Sequence, residues 1–489
     1  MRRPSRMRQR AQGILPYEIE EVDGESTITS YAGLPLVAEA YRATRAAEAV
    51  RRFVKTKRRL RHRELSDEEM VESFCVLLAG GGECNDDFGF MGSDSGLKEM
   101  LGHELPSPTR AKQFLYGFHR DETEKAVAEQ RSLMPSFVPE ESGPLAGLQE
   151  AVRATASAMQ KHRPVREATI DLDATIIVSE KREAAKTYEG ERGYQPVTAY
   201  WVEKELILAD QFRDGNVPAR SDLLGVAKRA VAALPNGMKR IYIRSDSAGY
   251  EHKLMNWCRE ERPDRPPITF AISAVMSREL RRAIQALPDE AWRELDQKGN
   301  KVRSWAEVEF IPSKPSVKKG RPPDRYLAIR VVPKQGELFS DGERVKYFAV
   351  VTNDWERDGK EIIEWHRQKA GTIEKVHDVL KNDLGAGVMP CGRFGANAAW
   401  FRMNVLTFNL LSVVRQTALP KELEKAQPKR LRFRVFCVAG EVIHHARKLV
   451  VRVVGELFGR EGLLVRARRL LRRLERRLLR FRLPFPAPT

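Results

Sequence analysis

The stretch Thr169–Val178, which reads TIDLDATIIV, most constrains what this chain can fold into. It is short, apolar and rich in β-branched residues, so it predicts a buried strand. Because side chains alternate along a strand, Asp171 and Asp173 share one face. A carboxylate inside a core strand is costly unless it is paired or holds a metal. On this stretch alone, two interpretations stand level: acids at a strand edge in water, or acids with a function.

Length and composition exclude several classes of protein. The chain has 489 residues, of which 42% are hydrophobic and 31% charged, which predicts a protein of several globular domains. No run of eighteen apolar residues occurs, so we expect no membrane span, and no apolar segment follows the basic N-terminus as it would in a secretory signal. The five cysteines are scattered and form no CxxC pair, which predicts a reducing cytoplasm and no disulfide framework or zinc site.

The positive charge points to a polyanionic partner. The net charge is +18, and residues 429–482 carry 17 Lys and Arg against 4 Glu, which accounts for +13 of it. This basic tail is predicted to be helical, with Leu471, Leu474 and Leu478 as an apolar seam. Three interpretations remain open: a phosphate-binding helix, a membrane-surface helix or a partner-binding coiled segment. DNA is preferred because residues 55–63 and 313–325 are basic as well.

Changes of pattern divide the chain into five parts. Residues 1–165 are predicted to be a helical DNA-binding domain, with helix starts at Ser66 and Ser107; a helical cap without nucleic-acid contact is the alternative. In residues 166–289 strands alternate with helices, which predicts an α/β core. Residues 290–354 predict an antiparallel β insertion that carries three basic residues, Lys318, Lys319 and Arg321, as DNA-contact candidates. The core then resumes as helices in residues 355–415, and residues 416–489 form the basic helical tail.

Three acids on three elements of the core suggest a catalytic site. Asp173 lies in the first strand, Asp246 ends the strand RIYIRSD, and Glu374 lies on a later helix. Together they could hold hard divalent cations through oxygen ligands. Two such ions would stabilise the attacking and leaving oxygens of an in-line phosphoryl displacement.

Other acids compete for these roles. Asp171 shares a face with Asp173 and is the alternative first ligand. The remaining rivals are predicted to lie in turns or solvated loops; they are Asp86, Asp87, Asp354 and Asp383. Arg367, Glu374 and Lys381 are spaced by seven, so on one helix they would form a line. A solvent-exposed charge stripe is the alternative interpretation of that line.

An ordered set of motifs resembles bacterial insertion-sequence DDE transposases. The motifs are DLDATIIV, LADQFRDGNVP, IRSDSAGY, VVTNDW and EWHRQKAGTIEKVHDVLKNDLGAG followed by FGANAAWF. The chain is most similar to the IS thirteen-eighty family, related to the IS-four superfamily, over about residues 29–411. The resemblance places the three acids of the family on Asp173, Asp246 and Glu374. The superfamily's Y-x2-R-x3-E-x6-K signature fits in part, with its lysine at Lys381 and Arg367 as a substitute phosphate-binding arginine.

The resemblance also implies properties beyond the residues. It implies a ribonuclease-H-like catalytic core, two Mg²⁺ ions per site with Mn²⁺ as a substitute, and action on double-stranded DNA at the terminal inverted repeats of the element. A homodimer on DNA, no membrane partner and a bacterial cytoplasmic, nucleoid-associated location are expected. Two further hypotheses remain: a ribonuclease-H-like nuclease without strand transfer, and a catalytically dead DNA-binding repressor.

Overall fold

A computed structural model describes most of the chain. The described residues are 10–12, 18–20, 28–56, 64–122, 129, 136, 138–312, 324–334, 339, 343–454 and 462–480. Three predicted DNA contacts, Lys318, Lys319 and Arg321, lie outside these residues, as does the basic run 57–63. Within the described part, no helix is both long enough and apolar enough to cross a membrane.

The amino-terminal part is mostly helical. Its elements are β1 Arg10–Gln12, β2 Glu18–Glu20, β3 Ile28–Thr29, α1 Pro35–Ala43, α2 Ala46–Phe53, α3 Asp67–Gly80, α4 Asp87–Met91, α5 Ser95–Leu101, α6 Pro108–Tyr116 and α7 Gly143–His162. The predicted helix starts are found. Ser66 caps α3 through a reciprocal capping box with Glu69, and Ser107 caps α6 with Pro108 in its first turn.

A large mixed sheet follows, with helices on its connections. The elements are β4 Glu167–Ala174, β5 Ile177–Val178, β6 Ala185–Lys186, β7 Arg192–Tyr194, β8 Val197–Trp201, β9 Leu206–Gln211, α8 Leu223–Ala233, β10 Arg240–Ser245, α9 His252–Arg259, β11 Ile268–Ser273, α10 Arg278–Gln285, β12 Arg293–Lys298, β13 Lys301–Phe310, β14 Asp324–Pro333 and β15 Lys346–Thr352. The strand order in the sheet is β12-β13-β14-β15-β11-β10-β4-β8-β9. Strand β10 is parallel to both of its neighbours, β4 and β11, and every other pairing is antiparallel.

The predicted strand Thr169–Val178 is shorter than expected. Strand β4 ends at Ala174, and the apolar pair Ile177–Val178 belongs to a separate three-stranded sheet with β6 and β7. Because β4 and β10 are parallel, their carboxyl ends lie at the same edge of the large sheet. Asp173 and Asp246 are therefore at one edge.

The antiparallel strands of residues 290–354 extend the large sheet rather than forming a separate body. Strand β15 pairs with β11 of the core, and β14, β13 and β12 continue outward from it. Leu295, Trp305 and Ile329 from these strands form a second small core with Ile362 and Ile363. That core attaches the insertion to the helices that carry Arg367.

These helices are interrupted where one continuous line was predicted. The elements are α11 Gly359–Arg367, a 3₁₀ turn Gln368–Gly371, α12 Ile373–Asp378, a π-helical turn Val379–Asp383, α13 Phe394–Ala418 and α14 Pro428–Leu431. The prediction that Arg367, Glu374 and Lys381 share one helical line is wrong, because the 3₁₀ turn and the π turn change the spacing. Helix α13 is almost entirely buried and forms the spine of the main core.

The basic tail is helical only in part. A hairpin, β16 Gly440–His445 and β17 Lys448–Arg452, precedes α15 Leu463–Arg480, so the all-helical prediction is wrong over the hairpin. Strand β16 also pairs with β3, which ties this region to the amino-terminal part. The predicted seam exists: Leu471, Leu474 and Leu478 are buried in the main core, where α15 contacts α1, α7 and α13. The chain itself therefore covers this seam.

Candidate active site

Asp171 is held by an arginine on the neighbouring strand. The register of β4 and β10 places Arg244 opposite Asp171. Arg244 Nε donates to Asp171 Oδ1 at 2.6 Å and Nη2 donates to Oδ2 at 2.9 Å, and both side chains are buried. The Thr372 hydroxyl also donates to Oδ2. Both carboxylate oxygens are thus engaged by protein groups, which is how a buried charge is normally compensated.

Asp173 has a weaker set of partners. Its Oδ2 accepts one hydrogen bond, 2.9 Å long, from Lys369 Nζ, and its Oδ1 accepts from the amide of Ala174 at 3.0 Å. The side chain is 16% exposed and that of Lys369 is 9% exposed. Lys369 comes from the 3₁₀ turn between α11 and α12. A single flexible ammonium, rather than a guanidinium fork, compensates this carboxylate.

Asp246 lies beside Asp173 at the end of the adjacent strand. It follows Ser245, which is opposite Leu172 in the parallel register. Its Oδ1 accepts from the amide of Ala248 at 3.1 Å and from the Ser245 hydroxyl at 3.4 Å. Burial and then the charge of Asp173 raise the pKa of Asp246, and Lys369 opposes this effect. The two carboxylates therefore repel each other across the edge of the sheet.

Glu374 lies nearby but does not complete a cluster. It is exposed in the first turn of α12, two residues after Thr372, whose hydroxyl anchors this segment to Asp171. Among the described residues, no group of three His, Cys, Asp or Glu side chains is placed to hold a metal ion. The structure therefore brings Asp173 and Asp246 together and leaves Glu374 outside ligand range of them.

The residues at this edge fit a hard divalent cation. Carboxylate oxygens are the donors that Mg²⁺ and Mn²⁺ prefer. Two carboxylates that repel each other, one of which is partly desolvated, need positive charge between them. In this structure the Lys369 ammonium supplies part of that charge.

The predicted phosphate contacts are engaged elsewhere. Arg367 Nη1 donates to Asp296 Oδ2 of β12 at 2.7 Å, so this arginine is tied to the β insertion. Lys381 lies in the π turn and donates to the backbone oxygen of Ile176 at 3.4 Å. Both lie near the carboxyl edge of the sheet, but neither contacts the candidate acids.

The rival acids have structural contacts. Asp87 Oδ2 accepts from the amides of Glu83 and Cys84, and the neighbouring Asp86 is exposed. Asp354 accepts from two backbone amides and from Arg357, and these bonds lower its pKa against the opposing effect of burial. Asp383 is buried and pairs with Lys429 at 3.0 Å.

Two histidines near the candidate site, the buried His377 and the half-buried His366, were not anticipated. His377 Nε2 is 2.8 Å from Thr198 Oγ1, and burial, with the charges of Lys381 and Lys369, lowers its pKa to about 3. His366 Nε2 donates to the Ser245 oxygen at 3.0 Å, and burial lowers its pKa to about 4. Both imidazoles are neutral at pH 7, and they fasten α12 and α11 to strands β8 and β10.

Sequence reasoning missed Lys369, Arg244 and Thr372. A signal for Arg244 existed, because an arginine and an aspartate in two apolar strands predict a cross-strand ion pair if the strands are neighbours. No comparable sequence pattern predicts the contact of Lys369 with Asp173. This lysine is one of several charged residues in a helical segment, and only the 3₁₀ turn aims it at Asp173.

A family model described as Transposase DDE domain group 1 matches residues 19–475. No curated protein shows a significant match. Among solved structures, the cryo-EM structure of a piggyBac transposase synaptic complex with hairpin DNA aligns at a TM-score of 0.41 and 10% sequence identity, covering 92% of this chain and 81% of that chain.

Proposed function

Because the chain belongs to the Transposase DDE domain group 1 family, and is therefore a DNA transposase that cleaves DNA and transfers strands, we propose that Asp173, Asp246 and Glu374 are its catalytic acids. The proposed activity is cleavage at the terminal inverted repeats of an insertion sequence, followed by strand transfer into target DNA. Two divalent ions, Mg²⁺ or Mn²⁺ in its place, are the proposed cofactors.

One observation carries the assignment of the acids. Asp173 and Asp246 lie at the carboxyl ends of adjacent parallel strands, and among the described residues neither has an arginine partner like the one that holds Asp171. Burial and mutual repulsion raise the pKa of Asp246. A partly desolvated, under-compensated pair of acids at such an edge is typical of a functional site rather than of a structural ion pair.

The chain's own groups have distinct proposed roles. When bound, divalent ions supply activation of the attacking hydroxyl and stabilisation of the leaving oxygen. Asp173 and Asp246 would hold them, with Lys369 as the competing cation at Asp173. Glu374 would be the third ligand, and Arg367 and Lys381 would bind phosphates that flank the scissile bond.

We assign the chain to the IS thirteen-eighty family on its motifs, and its core to the ribonuclease-H-like type. A mixed sheet with acids at the ends of its central parallel strands supports the core assignment. A homodimer on paired DNA ends and a bacterial cytoplasmic location are proposed from the same resemblance.

The test is metal-dependent cleavage of DNA that carries the ends of the element. Wild type is compared with Asp173→Asn, Asp246→Asn and Glu374→Gln, with binding to the same DNA measured in parallel. Loss of one metal ligand is expected to slow cleavage about 10³-fold, because metal stabilisation of the transition state is worth several kcal/mol. Asp378→Asn is the matched control, since this exposed acid lies one turn beyond Glu374 on α12.

The cleavage and binding results for these variants distinguish the hypotheses. Three variants that bind but do not cut, beside an active control, support the assignment. Cleavage by Asp173→Asn would remove Asp173 from the site and make Asp171 the candidate. Cleavage without joining to target DNA would favour a nuclease, and wild type that binds without cutting would favour the repressor hypothesis.

A further inference from the structure

We propose that the edge of the sheet opposite the catalytic acids carries a second DNA site, where α15 and the carboxyl end of α7 bind the phosphate backbone of a duplex. This inference rests on the proposed function for its partner, because a transposase must hold DNA beyond the cleaved bond. It assigns a role to the basic tail, whose function the sequence leaves open.

Helix α15 presents one face to the protein and the other to solvent. Its apolar seam is buried against the chain's own helices, so the seam is not available to a membrane or a partner helix. On the other side, Arg473, Arg477 and Arg480 follow one another at spacings of four and three and so form a line. All three are exposed. Among the described residues, Arg473 and Arg480 have no carboxylate partner.

Cations from other elements converge on this line. Arg477 Nη1 donates to the His162 oxygen at the end of α7, at 3.3 Å. Lys204, which follows β8, donates to the backbone oxygen of Arg163, the residue after His162. Arg163 is exposed and pairs with Glu424 at 3.3 Å. Arg163 and the arginine line, on elements distant in sequence, thus place positive charge on one surface, and the buried Lys204 adds charge beneath it.

The electrostatics of this surface are unfavourable in the free protein. Burial and then the charges of Arg163, Arg477 and Lys204 lower the pKa of His162. Burial and then Arg163 lower the pKa of Lys204 to about 8. Glu424 and Glu203 offset part of the charge, but neither reaches the arginine line of α15. Like charges held together are stabilised when a polyanion covers them.

The position separates this surface from the catalytic acids. Helix α7 ends just before β4, and Lys204 lies beside the start of β4, because β8 runs antiparallel to it. Asp173 lies near the other end of that strand. From Glu167 to Asp173 the chain rises about 20 Å at 3.3 Å per residue. Phosphates bound at this surface therefore lie on the side of the sheet away from the candidate acids.

The experiment measures salt-dependent binding of the full chain to a 40-base-pair duplex. Wild type is compared with Arg473→Gln/Arg477→Gln/Arg480→Gln by fluorescence anisotropy from about 50 to 300 mM salt. We expect the slope of log affinity against log salt to fall by about 2–3, since each lost phosphate contact contributes about 0.9. At 100 mM salt the affinity should fall by at least about tenfold.

A matched double variant controls for net charge. Because Arg477 also caps α7, the comparison uses Arg473→Gln/Arg480→Gln, which leaves that contact intact. Arg468→Gln/Arg472→Gln removes the same charge from the other flank of α15, where Arg468 pairs with Glu39 at 2.6 Å. Equal losses in the two double variants would overturn the site. An unchanged slope in properly folded Arg473→Gln/Arg480→Gln would likewise overturn it.

Two further arms separate this inference from the proposed function. Asp173→Asn should lose cleavage and keep the wild-type salt slope. Cleavage by Asp173→Asn would contradict the catalytic assignment alone. Normal DNA binding by the arginine variants would contradict the second site alone. Vesicles of anionic and neutral phospholipid provide the last arm. Binding to vesicles that the arginine substitutions abolish, without any change in DNA binding, would assign the surface to lipid and contradict the proposal.

Discussion

Aspartate side chains in the interior of the large sheet are paired with arginines, whereas those at its carboxyl edge are not fully compensated. In the interior, Asp171 receives two bonds from Arg244, and Asp210 receives an equivalent fork from Arg402 on α13. At the edge, Asp173 has one lysine and Asp246 has no cationic hydrogen-bond partner among the described residues. Asp171 and Asp173 are only two residues apart on β4, yet Asp171 is part of a structural ion pair and Asp173 remains open to a ligand.

The largest expected effect breaks the interior pair. Arg244→Met should lower the free energy of unfolding by about 3–5 kcal/mol, because it leaves Asp171 buried without its partner. Urea denaturation of wild type and variant measures this. The double variant Asp171→Leu/Arg244→Met should regain most of the loss, since apolar residues can replace a buried pair. If the single variant is as stable as wild type, Asp171 is not a structural charge.

The second effect concerns the histidine that fastens the helix of Glu374. The pKa of His377 is lowered to about 3 in the folded chain, against about 6.5 when unfolded. Between these values only the unfolded chain binds the proton, so stability falls as the pH falls below 6.5. By pH 4.5 the loss should be about 2–3 kcal/mol.

A substitution isolates this histidine from other titrating groups. His377→Gln should flatten the stability curve between pH 7 and pH 4.5, measured by urea denaturation at each pH. His444→Gln is the control, because that side chain is 73% exposed. Parallel curves for wild type and His377→Gln would show that His377 is accessible to protons in the folded chain.

The third effect tests the open edge directly. Lys369→Met should tighten Mn²⁺ binding about tenfold, because the ammonium no longer has to leave Asp173, and one charge-assisted hydrogen bond is worth about 1.5 kcal/mol or more. Calorimetric titration of the DNA-free protein measures the affinity. Lys375→Met, an exposed position on α12, controls for the lost charge. Unchanged or weaker binding would mean that Lys369 does not compete with the metal.

The contrast between interior and edge was only half visible in the sequence. The sequence predicted Asp173 and Asp246 as candidates, because an acid within or at the end of an apolar, β-branched run is unusual. Which acid was structural depended on Arg244, and that pair required the register of two strands separated by about seventy residues. The local pattern assigns the two faces of each strand, but it does not identify which distant strand lies beside it.

The missed elements have a similar physical origin. The 3₁₀ turn Gln368–Gly371 that aims Lys369 at Asp173 was predicted as part of a helix, and tertiary contacts such as the Thr372–Asp171 bond decide its conformation instead. The hairpin β16–β17 was predicted as helix because its arginines and valines fit both structures. Pairing of Gly440 with Thr29 at the far end of the chain favours the strand.

The smallest expected effect sharpens the contrast at the boundary between edge and insertion. Arg367 is tied to Asp296, which also receives Arg303 at 3.3 Å, and the two members of the Arg367–Asp296 pair are 30% and 35% exposed. Asp296→Asn should raise DNA affinity about two- to fivefold, because exposed pairs are worth about 0.2–1 kcal/mol. Glu294→Gln, an equal charge change on the same strand, should raise it less. In an Arg367→Gln background the gain from Asp296→Asn should shrink to that of the control. A gain that persists there would come from net charge or from Arg303, and Arg367 would then lose its proposed role as a phosphate contact.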